Sequence, residues 1–272
     1  MSEKYHEIQD LKGEKRIVLV TGATGAIGKA IARQLAAQDL AVVLAARDEQ
    51  KARQAVQEIR RVTGNEDVYY ELVDLSRKAS IQELSGCWPG KLDVLLNNAG
   101  TTPRRRLETP EGIEMQWATN VLGYFWMIQF FADKLKEAAP SRVINVASYW
   151  AGGLDLNDPE FKQRHYNNGN AYRQSKQADR MLSAAFAEIF APFQVTVNAC
   201  HPGDVNSQLS NDLGFGGSES PDSGARTPVW LATDPAIEHV TGKYFEHRSE
   251  SRDRFTDNRT AVEALYEVCR SY

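Results

Sequence analysis

Residues 21–28 read Thr21-Gly22-Ala23-Thr24-Gly25-Ala26-Ile27-Gly28, and this stretch decides the fold. An apolar run, residues 17–20, enters it, and a segment of helical period leaves it from Lys29. A strand, a glycine-rich turn and a helix in succession bring backbone N–H groups and a helix N-terminus to one point, where a pyrophosphate can bind. Glycine lets the backbone approach the phosphates and lets the helix pack closely on the strand. A glycine pattern alone is weak evidence, but here it follows a strand, opens a helix and sits near the start of the chain.

Outward from this turn, short apolar runs at 40–46, 68–72, 92–96, 143–146 and 195–199 alternate with longer helical segments. The runs are nearly continuous rather than alternating, as expected of strands buried on both faces. One helix ends at 34–38, a second covers 49–62 and the clearest covers 111–138. In the last, Trp117, Val121, Tyr124, Ile128, Phe131 and Leu135 form one apolar stripe. The pattern predicts an α/β protein, a doubly wound parallel sheet with helices on both faces. With no linker or repeat, we read one domain over 16–272 after an extension at 1–15. Two polar, turn-rich segments, 152–170 and 204–223, break the alternation and are candidate binding loops.

The 272 residues carry 36 Asp plus Glu against 32 Lys plus Arg, a net charge of −4, with 42% hydrophobic and 25% charged residues. That is a globular composition with no electrostatic case for a nucleic-acid partner. The longest nearly apolar run, 121–132, is too short to span a bilayer, and residues 1–16 are polar without a secretory stretch. A cytoplasmic protein without a membrane span is expected. Three scattered cysteines and five scattered histidines suggest free thiols and no metal site.

The second strand ends in Ala45-Ala46-Arg47-Asp48. Where NAD is selected, an acidic residue at this strand end commonly holds the ribose 2′-hydroxyl. Arg47 can instead pair with a 2′-phosphate and stack on adenine, so NADP is favoured over NAD, with Asp48 as the counter-indication.

Further matching pieces are Asp74-Leu75, Asn97-Asn98-Ala99-Gly100, Asn120, Ser148, Tyr172 with Lys176, and Pro202-Gly203-x-Val205-x-Ser207. In this order and spacing the chain resembles the short-chain dehydrogenase/reductase family from Arg16 to Phe245, and within it the retinol-dehydrogenase-like reductases. The resemblance rests there on residues 166–176 and on Thr241-Gly242-Lys243-Tyr244-Phe245. It implies a single-domain Rossmann fold and transfer of a hydride between nicotinamide and a carbonyl/alcohol substrate. It also implies a homodimer or homotetramer. The implied cofactor-binding residues are Gly22, Thr24, Gly25, Ala26, Ile27, Gly28, Arg47, Asp74, Leu75, Asn98, Ala99, Gly100, Tyr172, Lys176, Pro202, Gly203, Val205 and Ser207. Asp74 would meet the adenine amino group, and the residues after the sixth strand would meet the nicotinamide carboxamide. Asn120 resembles the family residue that holds a water behind the lysine.

The residues support the same chemistry. Tyr172 and Lys176 are four apart on a helix whose apolar stripe is Ala178, Leu182, Ala185 and Ile189, so they share a face turned from that stripe. A free phenol has a pKa of about 10, too high for acid–base work near neutrality. An ammonium at ~4 Å, with an effective dielectric of ~20, would favour the phenolate by about 4 kcal/mol at most. Tyr172 can then give a proton to a carbonyl oxygen or take one from an alcohol. Ser148, at the carboxyl end of the strand at 143–146, can donate to that oxygen.

Two departures bear on function. The glycines at 22, 25 and 28 follow the spacing of the sugar-nucleotide epimerase branch, which raises the alternative of an epimerase-type isomerase. Against it stand Asn97-Asn98-Ala99-Gly100 and the absence of extra C-terminal length for a sugar nucleotide. The interval from Ser148 to Tyr172 is long, and we expect it to form pocket wall. Tyr149, Trp150, His165 and Tyr166, with the loop after Val205, would line a pocket for a hydrophobic or ring-bearing small molecule. A non-catalytic NADP-binding redox sensor is the third reading.

Overall fold

A computed structural model describes residues 15–272, so the expected extension lies, apart from Lys15, outside the described residues. Seven strands run parallel in the order β3-β2-β1-β4-β5-β6-β7, and an eighth pairs antiparallel at the edge. They are β1 (Ile17–Thr21), β2 (Ala41–Ala46), β3 (Val68–Leu72), β4 (Val94–Asn97), β5 (Ser141–Val146), β6 (Val195–His201), β7 (Tyr244–Glu246) and β8 (Ser249–Ser251). The six apolar runs fall on β1 to β6, with ends that differ by at most two residues. Strands β7 and β8 have three residues each, too short to show a period in sequence.

Alternate side chains of a strand point to opposite faces. Accordingly Ile17 and Leu19 enter one apolar layer while Val18 and Val20 enter the other. Helices α1 (Ala26–Ala36), α2 (Glu49–Thr63) and α8 (Pro221–Thr233) cover one face of the sheet. The other carries α3 (Lys78–Cys87), α4 (Gly123–Phe130), α5 (Ala132–Glu137), α6 (Asn168–Phe190) and α9 (Arg259–Arg270). The short α7 (Gln208–Asp212) lies in the loop after β6. The sheet order reverses direction between β1 and β4, the switch point at which open α/β sheets leave a crevice beyond the carboxyl ends of their strands.

Two expectations need correction. The helix expected over 111–138 starts at Met115, passes through a π turn at Trp117–Leu122 and breaks at Phe131 before α5. Its start is fixed by Glu114, which bridges to Glu108 and whose carboxylate accepts from the backbone N–H groups of Gln116 (2.9 Å) and Trp117 (2.7 Å). The apolar stripe itself is fully buried through all three segments. On α6, Ile189 is 44% exposed and does not continue the stripe. Tyr172 and Lys176 are buried, because the sheet, the π turn and α9 enclose this helix on nearly every side. Among the described residues no helix is long and apolar enough to cross a membrane.

Candidate active site

The glycine turn is held from below by Asn98, whose side chain donates to the Thr21 carbonyl at 3.0 Å, while Thr21 Oγ1 accepts from the Asn98 N–H at 2.9 Å. Gly22 has φ +63°, and a Cβ there would come within 2.7 Å of Ala99 Cα. A Cβ at Gly28 would stand 2.3 Å from the Gly22 carbonyl oxygen, so α1 can lie this close to β1 only with glycine. Gly25 caps α1 without a side-chain hydrogen bond, and no acidic residue occupies the first turn. The first N–H groups of α1 therefore lack a side-chain acceptor, which suits an anion.

A cavity of about 440 Å³ starts at this turn. Gly22, Thr24, Gly25, Ala26, Ile27, Gly28, Arg47, Asp74, Leu75, Asn98, Ala99, Gly100 and Ser207 line it. A neighbouring hollow of about 330 Å³ shares Arg47 and Asp74. Asp48 caps α2 by accepting from the Lys51 N–H, and one oxygen of Asp74 accepts from the Ser76 N–H and hydroxyl. Pro202, Gly203, Val205, Tyr172 and Lys176, also expected to bind the cofactor, do not line the cavity. Val205 is buried beneath its own loop, where a Cβ on Gly224 would meet its Cγ2 at 2.4 Å.

Past the carboxyl ends of β4 and β5 lies a buried cluster of Ser148, Tyr172 and Lys176. Lys176 Nζ donates to the Val146 carbonyl at 2.9 Å and to Asp179 Oδ2 at 2.8 Å, and sits 5.0 Å from the Tyr124 ring centroid. Burial pushes the Tyr172 phenol up; the Lys176 charge and the Ser148 hydroxyl oppose this, while Asp179 and Asp204 add to it. Burial also acts against the Lys176 ammonium, but Asp179, Tyr124 and Tyr172 hold it charged, and its net shift is upward.

Asn120, fully buried in the π turn, engages both backbone groups of Thr101: its Oδ1 accepts from the N–H at 2.9 Å and its Nδ2 donates to the carbonyl at 3.1 Å. Its amide also reaches Ser175 Oγ at 3.3 Å, tying the loop after β4 to α6. The structure thus directs this side chain to Thr101 and Ser175.

The segment before α6 is fastened to that helix and to the loop after β6, and none of Tyr149, Trp150, His165 and Tyr166 lines the cavity at the glycine turn. Gly152 N–H donates to the Arg173 carbonyl, Arg173 donates to the Trp150 carbonyl, and Gln174 donates to the Pro159 carbonyl. Trp150 packs on Phe215 with ring centroids 4.5 Å apart, the Tyr149 hydroxyl donates to Asp204 at 3.2 Å, and Asn168 Nδ2 donates to the Asp212 carbonyl at 3.1 Å, so the two irregular segments meet. Tyr166 braces the segment, donating to the Pro103 carbonyl and accepting from Gln116, whereas His165 is exposed.

Sequence reading missed Tyr124, Asp179, His201 and Phe215. Tyr124 was hidden in an apolar stripe, although its hydroxyl donates to the Ala99 carbonyl at 2.9 Å. Asp179 stands three residues after Lys176, a spacing that marks helix neighbours. His201 lies under the Tyr149 ring, 4.6 Å between centroids, and burial lowers its pKa to about 4. Only its place before Pro202-Gly203 hinted at it.

A family model described as short chain dehydrogenase matches residues 16–214. Retinol dehydrogenase 13 of Homo sapiens is 35% identical over 251 residues, covering 85% of this chain and 76% of that protein. A crystal structure of an uncharacterized protein from Mycobacterium Paratuberculosis has a TM-score of 0.80 at 26% identity, covering 94% of this chain and 92% of that one. The RhlG/NADP active-site complex of Pseudomonas aeruginosa has a TM-score of 0.67 at 26% identity, covering 85% and 93%. With the sheet order and the glycine turn, these matches make the chain a member of the short chain dehydrogenase family, a dehydrogenase or reductase that works between CH–OH and C=O.

Proposed function

We propose that the protein is an NADP-dependent oxidoreductase for a hydrophobic or ring-bearing carbonyl/alcohol pair, with Tyr172 as the acid/base. The observation that carries this reading is the buried cluster of Ser148, Tyr172 and Lys176, joined to the groove that begins at the glycine turn by Tyr124, whose hydroxyl donates to the carbonyl of the groove residue Ala99 and whose ring centroid lies 5.0 Å from Lys176 Nζ. The residues fit a dinucleotide: the α1 N-terminus lacks a side-chain cap, and the groove is lined from the turn to Arg47 and Asp74. NADP, when bound, supplies or takes up the hydride. The α1 N–H groups would hold the pyrophosphate, Arg47 a 2′-phosphate and the free oxygen of Asp74 the adenine. Asp48 competes less for a ribose hydroxyl because its Oδ1 caps α2 and its Oδ2 lies 3.7 Å from Lys51 Nζ.

In reduction, Ser148 donates a hydrogen bond to the carbonyl oxygen and Tyr172 delivers the proton; in oxidation Tyr172 takes it from the alcohol. Lys176, charged and anchored, favours the phenolate. Asn120 fixes the Thr101 peptide and the helix that carries the cluster. Trp150, Phe215 and Tyr149 offer aromatic surface next to Ser148, consistent with the ring-bearing alcohols that the relatives' names describe. The family resemblance supports a homodimer or homotetramer, which light scattering tests; cell fractionation tests the cytoplasmic location.

The decisive experiment compares thermal stabilisation by NADP and NAD, then reads nicotinamide absorbance with retinal, benzaldehyde and straight-chain aldehydes. Stronger stabilisation by NADP and turnover abolished by Tyr172→Phe are expected. Equal stabilisation by both cofactors would overturn the NADP assignment, and turnover retained in Tyr172→Phe would overturn the role of Tyr172.

A further inference from the structure

Lys176, which favours the Tyr172 phenolate, is one half of a buried ion pair whose other half is Asp179. Asp179 has 0% exposed surface, its Oδ2 accepts from Lys176 Nζ at 2.8 Å, and its Oδ1 has no hydrogen-bond partner among the described residues. A buried carboxylate with one oxygen unpartnered is expensive to keep for packing alone. We propose that Asp179 is a positioning residue for the proton step: it holds the Lys176 ammonium on the Val146 carbonyl and offsets the charge that Tyr172 feels. This rests on the reading of Tyr172 as the acid/base.

Lys176 has two of its three N–H bonds fixed, to Val146 and Asp179, and its Nζ lies 5.9 Å from the Tyr172 ring centroid. With Asp179 ionised, Tyr172 faces a nearly neutral pair instead of a bare cation, so the carboxylate sets how far the lysine lowers the phenol. The titratable groups facing the pair are Tyr172 on α6 itself, Tyr124 on α4, Cys200 on β6 and Cys269 on α9, with Asp204 acting on Tyr172 from the loop after β6. Burial raises both thiols; it also raises Asp179, to about 7 against the opposing charge of Lys176, so in the alkaline range where Tyr172 titrates the Asp179 carboxylate is ionised and sets the field at the phenol.

The test titrates Tyr172 directly. Protein labelled with ¹³Cζ-tyrosine is followed by NMR, the Tyr172 signal being assigned by its loss in Tyr172→Phe. Asp179→Asn keeps an oxygen for Lys176 and removes the charge; we expect the Tyr172 midpoint to fall by about one pH unit. An unchanged or raised midpoint in folded Asp179→Asn overturns the proposal. Asp179→Leu, which removes the hydrogen bond as well, is expected to lose more turnover than Asp179→Asn at equal thermal stability. If Tyr172→Phe turns over normally, the acid/base reading falls, while the NMR midpoint still decides whether Asp179 sets the phenol.

Discussion

Asp48 Oδ1 accepts from the backbone N–H of Lys51 at 3.0 Å and its Oδ2 lies 3.7 Å from Lys51 Nζ, which turns the carboxylate beside Arg47 towards the first turn of α2. Arg47 stands exposed at the junction of the two hollows. Hydrogen bonds to a charged group contribute about 1.5–3 kcal/mol, so Arg47→Ala is expected to weaken NADP binding about 10–100-fold. NAD binding should hardly change. Titration calorimetry with both cofactors checks this, and a parallel loss for NAD would contradict it.

The closeness of α1 to the glycine turn gives a second prediction. In Gly28→Ala the new methyl stands 2.3 Å from the Gly22 carbonyl oxygen, a contact that requires backbone movement. Overpacking of this kind costs about 1–3 kcal/mol. Lower thermal stability and weaker binding of both cofactors should appear together, since the displaced backbone is the proposed phosphate site.

Asn120 supplies a third. Asn120→Ala leaves the Thr101 N–H and carbonyl without the amide that pairs with them. An unsatisfied buried polar group costs about 1–3 kcal/mol. Urea unfolding should show a loss of this size, accompanied by lower turnover, because the loop after β4 and α6 are no longer tied.

Two buried groups give opposite pH dependences. Burial raises Glu114 from 4.5 to about 7, so it binds a proton more tightly folded than unfolded. Its contribution to stability is full below pH 4.5 and is lost as pH rises towards 7. Burial lowers His201 from 6.5 to about 4, so its contribution is full above pH 6.5 and is lost as pH falls towards 4. Each shift corresponds to about 3 kcal/mol, and in the native protein they oppose one another. Glu114→Gln should therefore lose stability more steeply than the native protein on acidification from pH 7 to 4.5, and His201→Gln less steeply. Urea midpoints across that range decide it; curves parallel to the native one would contradict both assignments.

Phe215 lies 4.5 Å from Trp150 in a loop whose Gly214, Gly216 and Gly217 all have positive φ. Phe215→Ala is expected to raise KM for retinal or benzaldehyde about 3–10-fold, the size of an aromatic contact, with kcat and short aliphatic aldehydes little affected. Steady-state kinetics on that panel are the check.

The sequence by itself determined the strand–turn–helix start, the six parallel strands and the spacing of Ser148, Tyr172 and Lys176. The turn and the strands follow from local rules: continuous apolar runs, helical period and glycine where backbone must approach backbone; Ser148, Tyr172 and Lys176 were singled out by the family resemblance. Only the tertiary structure decided that Asn120 reaches Thr101, that Lys176 leans on Val146 and Asp179, and that Phe215 meets Trp150. Each of the Asn120, Val146 and Phe215 contacts joins segments far apart in the chain. Lys176 and Asp179 are helix neighbours, yet their charges matter because the sheet and α9 exclude water from both, and burial is a property of the assembled layers.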